Sequence, residues 1–120
     1  MADSLAVGLD GTASYEITAD MSPPHLPVAV LSTPSMIQLI EATCLNAAQD
    51  HLDEGNTTVG THVCVSHAAA AMVGETIDVT CRLDEIDGRR LTFATTVTCG
   101  DRTLSTGTHQ RAVVNLSRFG

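Results

Sequence analysis

The spacing of apolar residues changes once along this chain, from a helical period to an alternating one. SYEITAD (residues 14–20) reads as a first strand, and the Pro-rich MSPPHLP (21–27) that follows predicts a loop. Thr33 followed by Pro34 is a helix entry, with Thr33 capping the exposed amides and Pro34 fitting the first turn. Apolar residues then recur at Met36, Ile37, Leu39, Ile40, Cys44, Ala47 and Ala48, a helical spacing that Gly55-Asn56 terminates. Beyond it the period becomes two. A regular strand through TTVGTHVCVSH puts Val59, Val63, Val65 and His67 on one face. ETIDVTCRL puts Ile77, Val79, Cys81 and Leu83 on one side, with Asp78 and Arg82 on the other. DEIDGRRLTFATTVTC predicts a hairpin about an Asp87-Gly88 turn, and DRTLSTGTHQRAVVNL a last long strand. The prediction is α+β: one strand, a buried helix, then four long antiparallel strands. The sheet must curl around the helix, because nothing else in the chain can cover the helix's apolar surface.

Composition narrows this picture. A length of 120 residues suits one domain, 1–120, and the core must be aliphatic, since the chain has one Tyr, two Phe and no Trp. Such a small, aromatic-poor core gains from burial in an oligomer. Fourteen acids against six bases give a net charge of −8, which argues against nucleic acid and an anionic membrane surface. MADSLAVGLDG lacks the basic start and apolar core of a signal peptide, and no apolar run is long enough to span a bilayer. The expected address is therefore cytoplasmic. Cys44, Cys64, Cys81 and Cys99 form no C-x-x-C pair, so they read as reduced thiols serving as small buried residues.

One feature of the helix calls for chemistry. Glu41 is the only Asp, Glu, Lys or Arg between Met21 and Gln49, and it lies one turn from Ile37, Cys44 and Leu45. A carboxylate drawn out of water needs a partner or shifts its pKa. Glu41 is thus either a structural acid or a general base or nucleophile. His67 is either a hydrogen-bonded core histidine or a proton carrier. Arg111 needs a carboxylate or an anionic ligand. A metal site from His62, His67 and His109 is disfavoured, because His62 and His67 differ in strand parity.

Four stretches, LSTPSMIQLIEATC, VGTHVCVSHAAA, DGRRLTF and STGTHQRAVV, together resemble the fluoroacetyl-CoA thioesterase family of hot-dog-fold proteins, from about Thr33 to Phe119. The resemblance implies an antiparallel sheet wrapped around a central helix, in a homodimer with active sites at the subunit interface. By position it assigns catalytic roles to Thr33, Glu41 and His67, and substrate contacts to Gly60 and Arg111. The implied function is acyl-CoA hydrolysis without metal or cofactor, coenzyme A entering only as part of the substrate. Glu41 would be base or nucleophile, His67 acid/base, and Thr33 an orienting group or itself the nucleophile. Arg89 and Arg90 read as solvated turn residues or as contacts to a coenzyme A phosphate. The segment before Thr33 departs from the family: its lid carries phenylalanines tied to fluorine selectivity, whereas ADMSPPHLPVAVLS has no aromatic residue. The alternatives are a non-catalytic protein that binds acyl-CoA or another small ligand, and a hot-dog dehydratase or hydratase.

Overall fold

The structure, a computed structural model, describes residues 4–118. The first three residues of the N-terminal stretch and Phe119, where the resemblance ends, lie outside the described residues. Strand β1 (Asp10–Glu16) precedes helix α1 (Thr33–Gln49), and β2 (Asn56–Val65), β3 (Thr76–Asp87), β4 (Arg90–Cys99) and β5 (Arg102–Asn115) follow. All five strands join one antiparallel sheet in the order β1-β3-β4-β5-β2. Met36, Ile40, Cys44 and Ala48 of α1 are buried together with Ile77, Val79, Cys81 and Leu83 of β3 and Leu91, Phe93 and Val97 of β4. The α+β arrangement and the helix expected from the apolar spacing are therefore present.

The first strand lies earlier than the 14–20 expected. It starts at Asp10 and ends at Glu16, and Ala19–Met21 form a 3₁₀ turn. Its inward residues are Gly11, Ala13 and Tyr15, which leave little apolar signal in the sequence. They are small because the helix presses close: a Cβ on Gly11 would fall 2.5 Å from Ala47 Cβ. Tyr15 reaches the helix through a 3.0 Å hydrogen bond between its hydroxyl and that of Thr43.

The helix cap also differs from expectation. Ser32 is the N-cap, its Oγ accepting from the Ser35 amide at 3.2 Å, and Thr33 is the first helical residue. The Thr33 hydroxyl is thereby released from capping. At the far end Gln49 donates to the Asn56 carbonyl and accepts from the Thr57 hydroxyl, fixing α1 to the start of β2.

Strand β2 is not regular. Its register against β5 slips between Gly60 and His62, so Gly60 faces Arg111 but His62 faces Gln110. The bulge flips parity: Thr58 and Gly60 share the core side with Val63 and Val65, while Val59, expected on that side, is turned out and 38% exposed. The hairpin expected at Asp87-Gly88 is present, with Asp87 paired to Arg90 and Gly88-Arg89 as its two loop residues. Three cysteines are buried as expected, but Cys64 points outward from β2. A hydrogen bond with Cys81 and then burial push the Cys44 thiol well above its ordinary value, so it stays protonated.

Candidate active site

Two clusters are built from the residues singled out in the sequence. The first lies at the N-terminus of α1. Thr33 Oγ1 stands 2.7 Å from His67 Nδ1, linking the start of the helix to the segment leaving β2. His67 is held there because its neighbours continue along β5: the Ser66 amide donates to the Thr106 carbonyl and the Ala68 amide to the Leu104 carbonyl. The pair opens on a cavity of about 490 Å³, whose walls include Leu26, Val30 and Leu31 from the loop before the helix and Ala68–Ala70 beyond His67. Arg102 braces the second wall, donating from NH1 to the Ala70 carbonyl at 2.9 Å and from NH2 to Glu75 at 2.7 Å. That ion pair and the Met72 amide hold the Glu75 carboxyl below the usual range, the amide having the larger effect.

The second cluster surrounds Glu41. Its side chain is 40% exposed, and Oε2 lies 3.8 Å from Arg111 NH1. Gly60 forms the floor: a Cβ there would meet Glu41 Oε2 at 2.9 Å, His109 Cε1 at 3.2 Å and Arg111 NH1 at 3.4 Å. Only a residue without a side chain lets backbone and carboxylate approach so closely. Arg111 is buried, and its Nε donates to Thr58 Oγ1 at 2.7 Å while NH2 donates to the Thr58 carbonyl at 3.0 Å. Burial pulls Arg111 below the ordinary arginine value, an effect that Glu41 opposes.

Arg89 and Arg90 join neither cluster. They line a separate cavity of about 560 Å³ with Thr61, His62, Asp87, Gln110 and Ala112. In the sheet register Arg90 pairs with Ala112, next to the row in which Leu91 pairs with Arg111. His62 is exposed, and no group of three metal-ligating side chains occurs among the described residues.

The sequence reading missed two partners of this site. Thr58 was missed because the bulge that turns it inward is marked in the sequence only by the isolated Gly60 within the strand. His109 entered only as a metal ligand, yet it shares strand parity with Arg111, and that parity was sufficient to place it at the site.

Against known proteins, the profile of the fluoroacetyl-CoA-specific thioesterase family matches residues 13–117. The chain belongs to this family. A curated relative, the fluoroacetyl-CoA thioesterase of Streptantibioticus cattleyicolor, is 38% identical over 90 residues, which cover 75% of this chain and 65% of that protein. The aligned stretch thus spans just under two thirds of that relative. The solved structure of the fluoroacetyl-CoA thioesterase FlK superposes with a TM-score of 0.91 at 31% identity, covering 98% of this chain and 93% of the other. A hot-dog-like protein from Thermanaerovibrio acidaminovorans shares the fold at 20% identity, with a TM-score of 0.86 over 94% of this chain and 86% of that one. The fold is the hot-dog fold.

Proposed function

We propose that this chain hydrolyses an acyl-CoA thioester to the free acid and coenzyme A, with Glu41, His67 and Thr33 as the catalytic residues. The observation that carries the reading is the 2.7 Å Thr33–His67 contact at the mouth of an apolar cavity. Family membership supplies the reaction class. Glu41 takes a proton from water, the resulting hydroxide adds to the thioester carbonyl, and the tetrahedral oxyanion collapses to expel the thiolate. His67 protonates the departing sulfur, and the proton held by Glu41 resets the site. Thr33 orients His67 and the carbonyl.

The two clusters stand apart along the helix of one chain. Thr33 and Glu41 are eight residues apart on α1, which at 1.5 Å per residue is about 12 Å along the axis. Glu41, acting through a water, and Thr33 with His67 must converge on one thioester. We therefore read the site as shared between two copies. Strand β2 is a sheet edge of ten residues without Asp, Glu, Lys or Arg, whereas the other edge, β1, begins at Asp10 and ends at Glu16. An unguarded edge of this kind is a template for pairing. Antiparallel pairing of two β2 edges about a twofold axis runs the Gly60–Glu41 half-site of one copy toward the partner's His67. The homodimer thus joins the two half-sites.

The cavity walls of Leu, Val and Ala suit a small or medium aliphatic acyl group, and the loop before the helix lacks the aromatic residues expected for fluorine selectivity. Arg89 and Arg90 are the candidate contacts for coenzyme A phosphates. Thiol release from a panel running from acetyl- and fluoroacetyl-CoA through medium-chain to aromatic acyl-CoAs tests the reading. Turnover by wild type that is lost in Glu41→Gln and His67→Ala supports it. Saturable binding without turnover of any thioester moves the protein to the ligand-binding class.

A further inference from the structure

We propose that His109 is a positioning residue that keeps the Arg111 guanidinium from closing on Glu41, leaving the carboxylate free to work; this rests on the reading of Glu41 as the catalytic base. His109 is fully buried on the core side of β5, two residues before Arg111 and on the same face. Its Nδ1 lies 2.8 Å from the His62 carbonyl at the β2 bulge, and its Nε2 lies 3.1 Å from Arg111 NH1. A carbonyl only accepts and a guanidinium only donates, so both contacts are satisfied by a single state, the neutral ring with its hydrogen on Nδ1. Burial, chiefly, and the Arg111 charge hold the ring below the ordinary histidine value, against the opposing pull of the His62 carbonyl.

Each of the three guanidinium nitrogens donates to an uncharged acceptor: Nε and NH2 to Thr58, NH1 to His109. An arginine beside a carboxylate ordinarily closes to a charge-assisted contact of about 2.8 Å, often bidentate. Here NH1 stops at 3.8 Å. The Thr58 bonds hold the far edge and set the plane of the guanidinium, and among the described residues His109 is the acceptor that holds NH1, the nitrogen nearest Glu41. The charged and titratable groups around the pair are Glu41 and Cys44 on α1, His62 on β2 and Arg111 itself. None of them offers NH1 a second neutral acceptor.

Two substitutions separate positioning from packing. His109→Leu fills the space without an acceptor, whereas His109→Gln restores an acceptor near the Nε2 position. The expected result is a loss in kcat of about tenfold or more for Leu, with KM within about twofold and the acid limb of the pH–rate profile displaced to lower pH. Gln recovers most of the loss. Equal impairment of Leu and Gln, or an undiminished kcat in Leu, overturns the proposal. Two measurements do not depend on turnover, so they stand even if no thioester is hydrolysed. Two-bond ¹H–¹⁵N spectra of wild type must report the Nδ1–H tautomer at pH 7, and a crystal structure of His109→Leu must show Arg111 NH1 within hydrogen-bond distance of Glu41. An Nε2–H or cationic ring, or an unchanged separation, sinks it.

Discussion

The proposed division of the site between two copies can be tested by complementation. Thr33→Ala and Glu41→Gln each remove one half-site, so each homodimer is expected to be inactive. Co-expression of the two variants under different affinity tags, followed by two-step purification, isolates dimers with one chain of each kind. If Thr33 of one chain works with Glu41 of the other, a mixed dimer holds one site with both residues intact and one with neither. Its turnover per dimer is then about half that of wild type, as twofold symmetry requires. If both residues came from the same chain, every site would lack one of them and no activity would return. The structural ground is the axial separation of about 12 Å between the backbone positions of Thr33 and Glu41, set by helical rise. Thiol release at saturating substrate is the assay, with circular dichroism confirming that both variants fold. A purified mixed dimer no more active than its parents, or a wild-type chain that sediments as a monomer, would refute the reasoning.

Two further outcomes follow from the same geometry. Gly60→Ala places a Cβ 2.9 Å from Glu41 Oε2, a flexible side-chain end that can swing away, so the protein should fold with a melting temperature close to wild type while thiol release falls by about tenfold or more. Wild-type activity in this variant would remove Gly60 from the floor of the site. The second concerns pH: His109 is held below the ordinary histidine value when folded, so on acidification through the unfolded histidine range the unfolded chain takes up the proton first. Stability from this group is therefore complete above that range and lost as pH falls through it. Denaturant titrations at pH 7.5 and 5.5 should show a smaller decline in His109→Gln than in wild type, and equal declines would contradict the assignment.

Sequence alone determined the elements whose residues carry a strong period. The α1 face of Met36, Ile40, Cys44 and Ala48 and the β3 run of Ile77, Val79, Cys81 and Leu83 were legible because burial on one side imposes a spacing of 3.6 or 2. Four joined motifs also made the family legible. What failed to show was local. β1 was displaced because its core face is Gly11, Ala13 and Tyr15, small residues demanded by the helix above them rather than by a hydrophobic pattern. The cap passed from Thr33 to Ser32, a choice between adjacent hydroxyls that propensity does not make and that frees Thr33 for His67.

The bulge at Gly60–His62 was decided only by the tertiary structure. An extra residue in one strand leaves only the isolated Gly60 as its mark in the sequence, yet it reverses which side chains face inward. It turns Thr58 and Gly60 toward the core, sends Val59 out, and sets the His62 carbonyl against His109. Arg111 and Glu41 were visible as residues needing partners, since buried charge is costly. Which partners they found depended on strand register, a long-range property fixed when β2 and β5 pair across some fifty residues of chain.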